Sequence, residues 1–146
     1  MEQCIFCDLI ATTEPPEGGW IYESRHFRAL LLEAMAIPGW VVFHSVRHAE
    51  GLAGLNAAES AELGVALQRL SAAIIAQTGD PKTYMYSMCE PASHFHLLIG
   101  SPVNAADTPR GAPFLVKVVL RQLPLDRLES LRVAQDIGRL LAEPSG

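Results

Sequence analysis

Two histidines one residue apart, His94 and His96 in ASHFHLL (92–98), and two cysteines in the spacing Cys4-Ile-Phe-Cys7 are the parts of this chain best suited to chemistry. Alternate side chains of a strand share a face, so His94 and His96 fall together while Phe95 and Leu97 take the other side. Paired imidazoles serve near neutral pH as metal ligands or as a nucleophile with a helper. Thiols two residues apart can both reach one Zn²⁺ at about 2.3 Å, but they make only half of a tetrahedral site. His26, His44, His48, Cys89, His94 and His96 are the side chains that could complete it.

The elements that must position these residues can be read from pattern. CIFCDLI suggests a knuckle entering a short helix, and EPPEGG (14–19) is a loop because Pro and Gly interrupt regular structure. WIYES and FRALLLE read as a hairpin of two strands joined at SRH, IPG (37–39) as a turn, and WVVFHSV (40–46) as a third strand. From Asn56 to Thr78 the signals agree on a long amphipathic helix. Asn56 and Glu59 form a capping pair, Leu63, Leu67, Leu70 and Ile74 recur at helical spacing, and Gly79 stands at the stop. TYMYSM (83–88) and SHFHLLI (93–99) read as two more strands linked by CEPA, and 100–113 as a loop. Leu128, Leu131, Ile137, Leu140 and Leu141 describe a second helix capped by Asp126. The expected fold is α+β: an antiparallel sheet of about five strands with one long helix and a C-terminal helix.

With 146 residues, nearly half of them hydrophobic, the chain is expected to be one domain, 1–146, with 103–146 a loop and helix extension of it. A net charge of -5 without a Lys/Arg cluster argues against binding polymeric nucleic acid. MEQCIFCDLI lacks a signal peptide's pattern and no stretch approaches the roughly 20 apolar residues of a membrane span, so a cytoplasmic protein without membrane contact is expected. In that compartment Cys4, Cys7 and Cys89 are thiols or ligands, not disulfides.

Taken in order, the cysteine pair, the hairpin with its Pro-Gly turn and Arg47-His48, the long helix GLNAAESAELGVALQRL and SHFHLLIG resemble the histidine triad family of nucleotide hydrolases and transferases. The resemblance covers the chain from Cys4 to about Pro102. Two departures stand out. The family carries three alternating histidines, and here either Ala92 replaces the first or Leu98 replaces the last. The register adopted puts Ala92 first, because Leu97 and Leu98 match the apolar pair that follows the family's last histidine. The second departure is the ribose-binding acid, where Leu32 stands with Glu33 beside it, on the opposite face of a strand.

What the resemblance implies is nucleophilic catalysis through a nucleotidyl-histidine, hydrolysing a nucleotide phosphoanhydride or phosphoramidate. In the adopted register His94 is the nucleophile and His96 assists, with Ser93 and Glu33 as substrate contacts; in the other, His96 is the nucleophile. The alternative is a catalytically silent nucleotide-binding or protein-interaction module. No cofactor is required for the chemistry. A structural zinc would be held by Cys4, Cys7 and His48, with the fourth ligand missing at Ala92 or replaced by Cys89 or water, so it is expected to be weak or absent. The resemblance also implies a homodimer, with Val65, Ala66, Ala73 and Ile75 widening the apolar surface of the long helix.

Overall fold

In the computed structural model, which describes residues 3–90, 92–102 and 108–143, the sheet is antiparallel with strand order β1-β2-β3-β5-β4. β1 (Tyr22–Glu23) and β2 (Phe27–Leu30) form the expected hairpin, β3 is Trp40–Ser45, β4 Tyr84–Tyr86 and β5 His96–Gly100. β3 lies at the centre and all its residues are buried, as a strand covered on both faces requires. Alternation then sorts the core into two layers. Phe27, Ala29, Val41, Phe43, Leu97 and Ile99 face the long helix α2 (Ala57–Thr78) and the C-terminal helix α4 (Arg127–Ala142). Leu30, Trp40, Val42 and Leu98 face the N-terminal helix α1 (Ile5–Ala11) and α3 (Ala112–Val119), which contribute Phe6, Phe114 and Val118. His44 and His96 belong by alternation to this second face.

α2 is built as its sequence requires. The Asn56 side chain accepts from the Glu59 N–H, the Glu59 carboxylate accepts from the Asn56 N–H, and Gly79 closes the helix at φ +76°. At the end of β5, Gly100 is obligatory for a different reason: a Cβ there would lie 2.1 Å from Cδ2 of Trp40.

Four expectations need correction. α3 was not foreseen, because FLVKVV is short and rich in β-branched residues and becomes helical by docking Phe114 against Trp40 and Tyr84. β5 begins at His96, and His94 makes only an isolated bridge to Glu50. Leu128, in the first turn of α4, and Leu140, both expected on the buried side of that helix, are exposed. Ala66 and Ala73 are buried in the chain's own core, so of the residues expected to widen a second surface on α2 only Val65 is exposed. The loop expected at 100–113 gives way to α3 from Ala112, and its residues 103–107 lie outside the described residues. Among the described residues no helix is long and apolar enough to cross a membrane.

Candidate functional site

α1 sets its residues at two destinations. Cys4, its N-cap, and Cys7, in its first turn, reach the loop after β3 and the approach to β5, where they meet His48 and His94. The ligating atoms of these four residues all lie within 4.8 Å of one another. Individual edges are 3.4 Å from Cys4 Sγ to His94 Nδ1, 3.6 Å from Cys7 Sγ to His94 Nδ1 and 3.4 Å from Cys7 Sγ to His48 Nδ1. A tetrahedron with Zn–S near 2.3 Å and Zn–N near 2.1 Å has S···N edges of about 3.6 Å. The donor set therefore fits zinc in number, type and spacing.

The second nitrogen of His94 supports this. Nε2 donates to the Ser45 carbonyl at 2.7 Å, which turns the Nδ1 lone pair toward the thiols, the outer-shell arrangement of a metal-ligating histidine. Burial lowers the pKa of His94, with smaller effects from His48 and His96, favouring the neutral form that binds metal. Burial and the neighbouring Cys4 thiol push the Cys7 thiol up, a preference that coordination to a cation reverses. His48 is held from below by Arg47. The Arg47 guanidinium donates to both carboxylate oxygens of Glu59 at 2.9 and 2.8 Å, to Gly54 O at 2.7 Å and to His48 O at 3.3 Å.

The fourth member of the cluster is thus His94, at the place that the sequence left missing or filled by Cys89 or water. The same placement bears on the nucleophile, since both ring nitrogens of His94 are committed and the residue is fully buried. His96 is differently placed. Its Nδ1 donates to the His94 carbonyl at 2.8 Å, and its ring lines a cavity of about 290 Å³. Phe6, the other destination of α1, lies over His96 and His94 with ring centroids 4.9 and 5.3 Å away, and forms part of the same wall.

Leu32, Leu98, Tyr86, Ser87 and Arg121 line that cavity as well. Ser93 and Glu33, the expected substrate contacts, do not. Ser93 borders a separate cleft beside the metal cluster, and Glu33 starts a short 3₁₀ turn whose Ala34 and Met35 reach the cavity in its place. Cys89 borders both spaces, near the His96 carbonyl at 3.7 Å, and is outside the metal cluster. His26 is remote from both, paired with Glu62 at 3.8 Å.

His44 stands directly opposite His96 across the β3–β5 pairing, fully buried beneath Phe6. It bonds the Ser45 carbonyl through Nδ1 at 2.9 Å, and burial lowers its pKa to about 4, so it is a neutral histidine outside the metal cluster. Sequence reasoning missed Tyr86, Ser87 and Arg121. Tyr86 had a signal, its place on β4 alongside the histidine strand; Arg121 had none, because it follows the unforeseen α3.

No family model and no curated protein matches the chain. Solved structures do. A hypothetical histidine triad nucleotide-binding protein from Sulfolobus tokodaii strain7 aligns over 94% of this chain and 91% of its own, with TM-score 0.68 at 17% identity. A zinc-bound histidine triad family protein from Mycobacterium smegmatis aligns over 95% of both chains, with TM-score 0.69 at 18% identity. The fold is that of the histidine triad proteins. A uridylyltransferase shares it too, with TM-score 0.68 at 20% identity over 95% of this chain but 45% of its own. His96 and Leu98 alternate on one face of β5, and His94 lies two residues before His96.

Proposed function

We propose that this chain is a nucleotide phosphoanhydride or phosphoramidate hydrolase of the histidine triad type, with His96 as its nucleophile. The observation that carries the proposal is the bond from His96 Nδ1–H to the His94 carbonyl. A proton held on Nδ1 leaves Nε2 as a lone pair, on a ring that borders the cavity. Nε2 attacks the α-phosphorus, the bond to the leaving group breaks with its electron pair on the departing atom, and a nucleotidyl-imidazole forms. The His94 carbonyl stabilises the positive charge that develops on the ring. Water then attacks the same phosphorus, the P–N bond breaks and neutral His96 returns. Positioning supplies the rest, since phosphoryl chemistry asks little covalent work of the protein.

Cys4, Cys7, His48 and His94 would hold a zinc ion whose contribution is structural: four protein ligands leave no open position, and the ion would tie α1 to the segment before β5 and to the loop after β3. That link keeps Phe6 over the histidines. Leu32 and Leu98 favour a second reading, a module that binds the nucleotide without turnover, because neither supplies the polar group expected at its position. The homodimer that the resemblance implies would use Val65 on α2 and Met85 on the edge strand β4, both apolar and exposed.

The deciding experiment is incubation with an adenosine phosphoramidate and with diadenosine polyphosphates, followed by AMP assay and intact-mass measurement of the quenched protein. A nucleotidyl adduct on His96 with AMP release establishes the hydrolase. AMP binding without either product establishes the silent module.

A further inference from the structure

The cavity beside His96 contains a charge that the chemistry above does not use. Arg121 lines it from the segment after α3, outside the stretch that resembles the triad family. Among the described residues no Asp or Glu lines the cavity and no carboxylate lies within ion-pair distance of Arg121. Arg121 is exposed at the rim of an apolar recess, where a guanidinium can meet an anion. The backbone at Arg121 sits at φ +56° because it closes α3: its N–H bonds Val118 O and the Gln122 N–H bonds Lys117 O, which turns the chain at the cavity's edge.

Tyr86 connects Arg121 to the triad. It is the partner of Leu98 across the β4–β5 ladder, so its phenol stands beside the third triad position on the cavity face. Tyr86 and Arg121 line the same cavity; burial pushes the Tyr86 phenol up and the charge of Arg121 acts against that. A hydroxyl donor and an unpaired guanidinium thus flank the position where Leu98 brings no hydrogen bond.

Resting on the function proposed above, we infer that Tyr86 and Arg121 form the phosphate-holding wall of the His96 cavity, in place of a polar group at Leu98, and select ligands that join a phosphate to an apolar group. Arg121 supplies the charge-assisted donors and Tyr86 a neutral one. Ile5, Phe6 and Met35 receive the apolar part.

Calorimetric titration of the full chain with AMP, phenyl phosphate and adenosine tests this, using Arg121→Met, Arg121→Lys and Tyr86→Phe. Arg121 is exposed, and its variants should melt like the wild type. Arg121→Met is expected to weaken AMP and phenyl phosphate by about tenfold or more and leave adenosine unchanged; Arg121→Lys should recover part of the loss, and Tyr86→Phe should weaken both phosphates severalfold. The inference is overturned if Arg121→Met binds both phosphates as the wild type does, if it loses adenosine in parallel with AMP, or if the wild type binds neither phosphate. Arg121-dependent binding of phenyl phosphate without AMP binding would sink the nucleotide function and leave this wall standing. A His96 adduct that forms equally well in Arg121→Met would do the reverse.

Discussion

The carbonyl of His94 accepts a hydrogen bond from Nδ1 of His96 at 2.8 Å, while the ring of His94 is turned away to Cys4 and Cys7. One histidine thus orients the other through its backbone and joins the metal cluster through its side chain. The two roles separate cleanly by mutation.

His96→Ala is expected to abolish the nucleotidyl adduct, with a loss of more than about 10³-fold in turnover, and to leave the metal content and the melting temperature near those of the wild type. His94→Ala removes a member of the cluster and one of the two imidazole donors to the Ser45 carbonyl, leaving that of His44. It should lose the metal and melt lower, yet still form some adduct when folded. Intact-mass spectrometry of quenched reactions checks both; an adduct on His94 in the His96→Ala protein would reverse the assignment.

Metal content follows from ligand number. The sequence suggested three ligands and a weakly held ion, whereas Cys4, Cys7, His48 and His94 make a closed set of four. Elemental analysis of protein purified without chelator should find close to one zinc per chain. Cys7→Ser should fall well below that value and unfold at a lower temperature, because the ion ties α1 to the sheet.

Local chemistry was legible in the sequence and long-range chemistry was not. α2 could be drawn from Asn56, Glu59 and Gly79 because capping is settled within one turn of helix. The hairpin, β3 and the turn at Pro38-Gly39 were equally local. The role of His94, by contrast, depends on Ser45 accepting from its Nε2 and on thiols near the start of the chain. Spacing within HFH carries no trace of either contact, so both registers fitted the sequence. α3 was hidden for a similar reason, being helical where Phe114 docks on Trp40, and Arg121 was hidden with it.

Stability toward acid should depend on Asp80 and Arg110. The Arg110 guanidinium, bonded to both carboxylate oxygens, lowers the Asp80 pKa from 3.8 to about 2. A carboxylate depressed in the folded state contributes stability that is fully present above its unfolded pKa and lost as pH falls through the folded one. The urea midpoint of the wild type should therefore exceed that of Asp80→Asn by a constant margin above about pH 5, and the margin should close as pH falls from 3.8 toward 2. A margin unchanged down to the folded pKa would show that the pair does not carry this dependence.

Glu59 should control the metal site without touching it. It is 2% exposed, caps α2 and anchors Arg47, whose guanidinium also reaches the carbonyls of Gly54 and His48. The carboxylate thus fixes the loop on which His48 must meet Cys7, while Cys4 and Cys7 are held by α1 and His94 by the segment that leads into β5. Glu59→Gln keeps the shape and the cap's acceptor but removes the charge, so the Arg47 fork loosens and His48 loses its support. Zinc affinity, measured by competition with a chromophoric chelator, is expected to fall about ten- to a hundredfold, as it does when an outer-shell partner is lost. Arg47→Lys, which cannot span both carboxylate oxygens, should reproduce most of the fall. A Glu59→Gln protein that melts lower yet holds zinc as tightly as the wild type would confine the role of Glu59 to the helix cap.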